Sequence, residues 1–187
     1  MCFRPCPVNS RVSTLFAAFL LSLCCLQPAS MRGADDPLGL LAAGARPDYL
    51  RPFSQTSLAA IKAEYAGQSF MLSLWSKDCP PCREELVLFG ELRKINPDLP
   101  LVLVSTDVPA QHARVASILA AAGLAAHSQS WIFTDGMVER LRYSIDPQWY
   151  GELPRSYYFA AGQQVAVHSG VLSRGLLETY LGLASGR

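Results

Sequence analysis

The 187-residue chain has no charge run, no internal repeat and no low-complexity tract. Each absence removes a class: repeat arrays, disordered segments and charge-driven binding tails. Basic side chains exceed acidic ones by only one, 16 against 15, so no nucleic-acid partner is expected. The chain also lacks an apolar run of the ~20 residues that a spanning helix needs. Its best candidate, Val12 to Leu26, stops at 15. What remains is 50% hydrophobic and 17% charged, a balance that suits one globular domain with a sizeable core.

The apolar run at Val12 lies among basic residues, Arg4 and Arg11, and is followed by Gln27-Pro28-Ala29-Ser30 and then Asp35-Asp36. A basic start, a short apolar run and small residues after it read as a secretory signal. No clean Ala-x-Ala follows, so an uncleaved N-terminal anchor stays open. Residues 1–34 are therefore assigned to a signal peptide or anchor, 35–56 to an irregular segment and 57–187 to the folded domain. The expected location is periplasmic or otherwise extracytoplasmic.

Cysteine becomes scarce once the leader is set aside. Cys2, Cys6, Cys24 and Cys25 fall within it, and only Cys79 and Cys82 remain of the six. A pair so close in sequence closes almost no loop and restrains the unfolded chain very little. Its value is chemical. The pair follows the apolar run Phe70 to Trp75 and precedes a helical pattern beginning at Arg83. A strand, a short turn and a helix opening on two cysteines put a thiolate where partial positive charge and unpaired N–H groups favour it.

Apolar spacing predicts helices over Ser57 to Tyr65, from the dithiol to about Ile95, over Ala110 to Ala122, Met137 to Tyr143 and Leu172 to Leu183. Strands are predicted at Phe70 to Trp75, Leu101 to Thr106, Trp131 to Phe133, Ser156 to Ala160 and Gln164 to His168. The last two are joined through Ala161-Gly162 as a hairpin. Strands alternating with helices, then a hairpin and a final helix, argue for an α/β domain with a mixed sheet.

The segment Trp75-Ser76-Lys77-Asp78-Cys79-Pro80-Pro81-Cys82 resembles the Trp-x-x-x-Cys-x-Pro-Cys signature of thioredoxin-like proteins. Leu153-Pro154 stands just before a strand, where that superfamily carries a cis-proline facing the dithiol. The resemblance spans about Leu58 to Leu183 and implies a central mixed sheet flanked by helices, with a strand–helix insert before the cis-proline. With the export signal, it is similar to the TlpA/ResA/DsbE group of extracytoplasmic thiol–disulfide oxidoreductases, whose members often carry a glutamate at the position of Glu85. Asp78 replaces an aromatic residue, Ser73 a buried acid and Arg155 a small residue.

On this reading Cys79 is the nucleophile and Cys82 resolves the mixed disulfide, the two forming a redox disulfide. A structural disulfide or half of a metal site are the alternatives, although the mature chain has no second cysteine pair to complete a zinc set. Glu85 shuttles protons to Cys82 or is an ordinary surface glutamate. Pro154 leaves backbone groups open to a client strand, and Trp75 packs beneath the dithiol. His112, His127 and His168 are taken as bystanders; no metal and no cofactor are expected. Pro80 and Pro81 remove two first-turn N–H donors, and Asp78, Glu84 and Glu85 add negative charge, so the dithiol is expected to reduce its partners. The resemblance implies a client protein with a disulfide, such as those of cytochrome c or copper-oxidase maturation, and a membrane electron donor. A non-catalytic assembly or metal-binding protein, or an oxidase or isomerase, is the alternative function.

Overall fold

The computed structural model describes residues 49–125, 127, 129–134 and 137–183. The expected leader at residues 1–34 lies outside the described residues. Six strands form one sheet: β1 (Leu50–Phe53), β2 (Phe70–Trp75), β3 (Leu101–Ser105), β4 (Ser130–Phe133), β5 (Arg155–Ala160) and β6 (Gln163–Ser169). Their spatial order is β1-β4-β3-β2-β5-β6. The first four run parallel, and β5 and β6 add an antiparallel hairpin. The helices are α1 (Ser57–Glu64), α2 (Pro80–Ile95), α3 (His112–Ala121), α4 (Val138–Ile145) and α5 (Arg174–Tyr180). The expected mixed sheet flanked by helices is present, with β4 and α4 as the strand–helix insert.

The central strands are buried on both faces, which is why they read as unbroken apolar runs. On β2, Met71 and Trp75 join a cluster with Leu86 and Phe89 of α2 and Val115 of α3. Phe70, Leu72 and Leu74 join the opposite cluster, with Ile61 of α1 and Leu141 of α4. Each fully buried leucine or phenylalanine contributes about 2 kcal/mol, more than an exposed pair such as Arg51–Glu64, at about 0.5 kcal/mol. The two apolar layers therefore dominate the stability.

Three elements differ from their expected form for identifiable reasons. Residues 50–53, read as irregular, form a strand that among the described residues stands at the sheet edge and pairs only with β4. Pro52 sits inside it, and a proline within a short run argues against a strand everywhere except at an edge. The last helix begins at Arg174 rather than Leu172. Ser173 caps it by accepting from the Leu176 N–H, while the Leu172 N–H is turned to another acceptor. Met137 caps α4 from outside, so that helix runs one residue later and ends at Ile145. The predicted hairpin is present, with both connecting residues at positive φ, Ala161 at 48° and Gly162 at 81°, as a tight primed turn requires.

Candidate active site

Trp75 ends β2, and a turn carries the chain from it into α2. Cys79 is the N-cap, in extended conformation, and Pro80 and Pro81 occupy the first two helical positions. Proline fits there because those N–H groups have no partner within the helix. The turn is fastened to the end of β3, since the Lys77 N–H donates to Asp107 Oδ2 at 2.8 Å and Ser105 Oγ donates to the same atom at 2.7 Å. Lys77 also pairs with the exposed Asp78.

Cys79 and Cys82 are joined by a disulfide, with their Cα atoms 5.3 Å apart. Cys82 is fully buried and Cys79 is 9% exposed, so the first cysteine is the more accessible of the two. With prolines at the two preceding positions, the first amide of α2 that can donate belongs to Cys82. It points at Cys79 Sγ at 3.2 Å. The next amide, of Arg83, is committed to the Cys79 carbonyl.

One turn deeper, Glu85 lies on the inner face of α2 and is 1% exposed. It is not a surface glutamate. Its Oε2 accepts from Ser73 Oγ at 3.1 Å and its Oε1 from the Leu172 N–H at 2.9 Å. Burial raises its pKa to about 7, against the pull of the bonds from Leu172 and Ser73. A carboxyl group that titrates near neutrality is thereby held on the same helical face as Cys82. Ser73 stands where the resemblance puts a buried acid, so the strand supplies a hydroxyl and the helix supplies the acid.

Trp75 is buried in the cluster that holds both cysteines, and its Nε1 has no hydrogen-bond partner among the described residues. The Leu153–Pro154 bond is cis and Pro154 is buried. Arg155 pairs with Leu74 across β5 and β2, so Pro154 and Trp75, each one position further, lie at the sheet end that carries the dithiol. The Pro154 carbonyl already accepts from the Gly170 N–H at 2.9 Å. Trp149 is buried and donates to the Glu152 carbonyl, whereas Tyr150 is 91% exposed.

Sequence reading missed the set around Arg155. Its guanidinium donates to Asp146, Glu152, Ser169 and the Tyr157 hydroxyl. Arg155 shares the face of Leu74, away from α2, so this set braces the insert and leaves the dithiol untouched. His127 is also more than a bystander in energy: its Nε2 lies 2.7 Å from the Leu101 carbonyl, and burial with Arg93 nearby lowers its pKa to about 4. Among the described residues no three His, Cys, Asp or Glu side chains gather as metal ligands.

Neither a protein-family model nor a curated protein matches the chain. Solved structures do. A thiol:disulfide interchange protein of the thioredoxin family from Chlorobium tepidum TLS superposes with a TM-score of 0.52 and 19% identity, over 67% of this chain and 85% of that one. A secreted Mycobacterium tuberculosis disulfide oxidoreductase homologous to E. coli DsbE gives 0.48 and 17%, over 65% and 85%. StoA from Bacillus subtilis gives 0.40 and 20%, over 62% and 83%. The first of these shows the shared fold: the chain has a thioredoxin-like architecture.

Proposed function

We propose that the chain is a thiol–disulfide oxidoreductase that reduces disulfides of partner proteins outside the cytoplasm. The observation that carries this reading is the Cys79–Cys82 pair opening α2, with a buried, ionisable Glu85 three positions further on. In the dithiol form, the Cys79 thiolate attacks one sulfur of the client disulfide. A mixed disulfide forms, and the first client sulfur leaves as a thiolate that takes a proton from solvent. Cys82 then gives its proton to the Glu85 carboxylate and attacks Cys79 Sγ. The intramolecular bond closes, and the second client sulfur leaves and is protonated. Two electrons and two protons have passed to the client. A carboxyl group at about 7 both accepts and releases a proton at neutral pH.

The reducing direction rests on what α2 withholds. One amide donor serves Cys79 Sγ where an uninterrupted first turn offers more. A less stabilised thiolate makes a dithiol readier to surrender its electrons. A reductant exported in this way needs recharging, which implies a membrane electron donor. The client is a disulfide-bearing protein, with apocytochrome c and copper-oxidase assembly proteins as the candidates that the resemblance brings.

The test is trapping. Cys82→Ser should arrest the reaction as a mixed disulfide at Cys79, detected as added mass that dithiothreitol removes. A wild-type protein that leaves model disulfides intact under reducing recharge points to the non-catalytic assembly role. A reduction potential as oxidising as that of DsbA would reverse the direction proposed.

A further inference from the structure

Arg83 and Val87 follow Cys79 at single-turn intervals along α2, so the three share one helical stripe. Opposite them stand Arg114, Ser117 and Ile118 of α3, and the groove between the helices encloses about 270 Å³. Val87 is 50% exposed. At its far end the groove closes, because the Gly90 backbone packs directly on the carbonyl of Ala122. From Arg83 to Gly90 the helix advances about 10 Å, which accommodates about three residues of extended chain.

Its electrostatics are unbalanced. Arg51, Arg155 and Arg174 all have carboxylate partners. Arg83 and Arg114 have none among the described residues, and no acidic side chain lines the groove. Two unneutralised guanidiniums above an apolar floor match a short segment that offers both an apolar side chain and carboxylates. We propose that this groove holds the roughly three residues flanking the client's reactive cysteine, and that those residues are acidic and apolar. The inference rests on the oxidoreductase reading for its occupant, and it supplies the sequence class of that client. Cys79 stands one turn before Arg83, which lines the groove, so the residues beside a cysteine bound to Cys79 fall next to it.

The experiment uses the whole disulfide-bonded protein and two fluorescent hexapeptides carrying serine in place of cysteine. One has leucine and glutamates beside the serine, the other leucine and lysines. Fluorescence anisotropy at low salt should show the acidic peptide binding at least fivefold more tightly. Arg114→Glu, which cancels the remaining charge of Arg83, should abolish that preference, and Ser117→Trp, which fills the groove without changing charge, should weaken the acidic peptide. Arg140→Glu makes the same charge change on the exposed face of α4 and should leave the ratio as it was. Equal binding of the two peptides, or a ratio that Arg114→Glu leaves intact, overturns the proposal. Serine peptides cannot exchange disulfides, so that failure is separate from failure of the trapping reaction.

Discussion

Ser73 Oγ donates to Glu85 Oε2 at 3.1 Å, although Ser73 lies within β2 and Glu85 on the helix that follows. The bond holds a carboxyl group beneath the redox pair and ties its protonation to the strand on which the dithiol is mounted.

Glu85→Gln tests the proposed proton-transfer role. A glutamine can accept from Leu172 and donate to the Ser73 hydroxyl, so both contacts survive while the acid is lost. Resolution of the mixed disulfide by Cys82 should slow by roughly 10²-fold, and the inflection near pH 7 should vanish. Quenched-flow mass analysis across pH 5 to 9 checks this; an unchanged profile removes Glu85 from the mechanism.

Stability against pH should reveal two opposed slopes. Glu85 is raised from 4.5 to about 7, so the stability it supports is complete below pH 4.5 and is lost as pH rises through about 7. His127 is lowered from 6.5 to about 4, so its share is complete above pH 6.5 and is lost as pH falls through about 4. Each amounts to about 3 kcal/mol, and between pH 4.5 and 6.5 they offset one another. Urea midpoints should rise with pH in Glu85→Gln and fall with pH in His127→Gln over that interval. Parallel curves for the two variants would contradict the assignment.

Gly90→Ala should destabilise the fold even though alanine is the better helix former. A Cβ at this position collides with the Ala122 carbonyl oxygen, which is backbone and cannot swing aside. The overpacking cost of about 1–3 kcal/mol exceeds the helical gain of about 1 kcal/mol. Thermal denaturation gives the sign directly.

Arg155→Ala leaves Asp146, only 13% exposed at its side chain, without its guanidinium partner. A loss of about 2 kcal/mol is expected, concentrated in the insert, so amide exchange should quicken in the last turn of α4. The redox potential should hold, because Arg155 and the dithiol occupy opposite faces of the sheet. A shift in potential would mean that the two faces communicate.

Burial on both faces made β2 and β3 legible, since a doubly covered strand reads as continuous apolar residues whatever its neighbours. The dithiol was legible because its chemistry needs only a local arrangement of strand, turn and helix. Glu85 was half legible. Its position matched the resemblance, yet its burial required noticing that Cys82, Glu85, Leu86 and Phe89 form one helical stripe, in which a charged residue has no surface to reach. The Arg155 set had no signal at all. Its members come from the C-cap of α4, the connection that follows it, β5 and β6, and only the tertiary fold brings residues 146, 152, 155, 157 and 169 together.

The Leu172 amide reaches Glu85 across 87 positions of sequence. The approach to the final helix is thereby wired into the acid–base behaviour of Glu85, and the C-terminal region serves as more than a lid on the apolar layer. Lifting that segment removes both a main-chain donor that lowers the pKa of Glu85 and part of the burial that raises it, so the proton affinity of this carboxyl group is set in part by residues close to the tail.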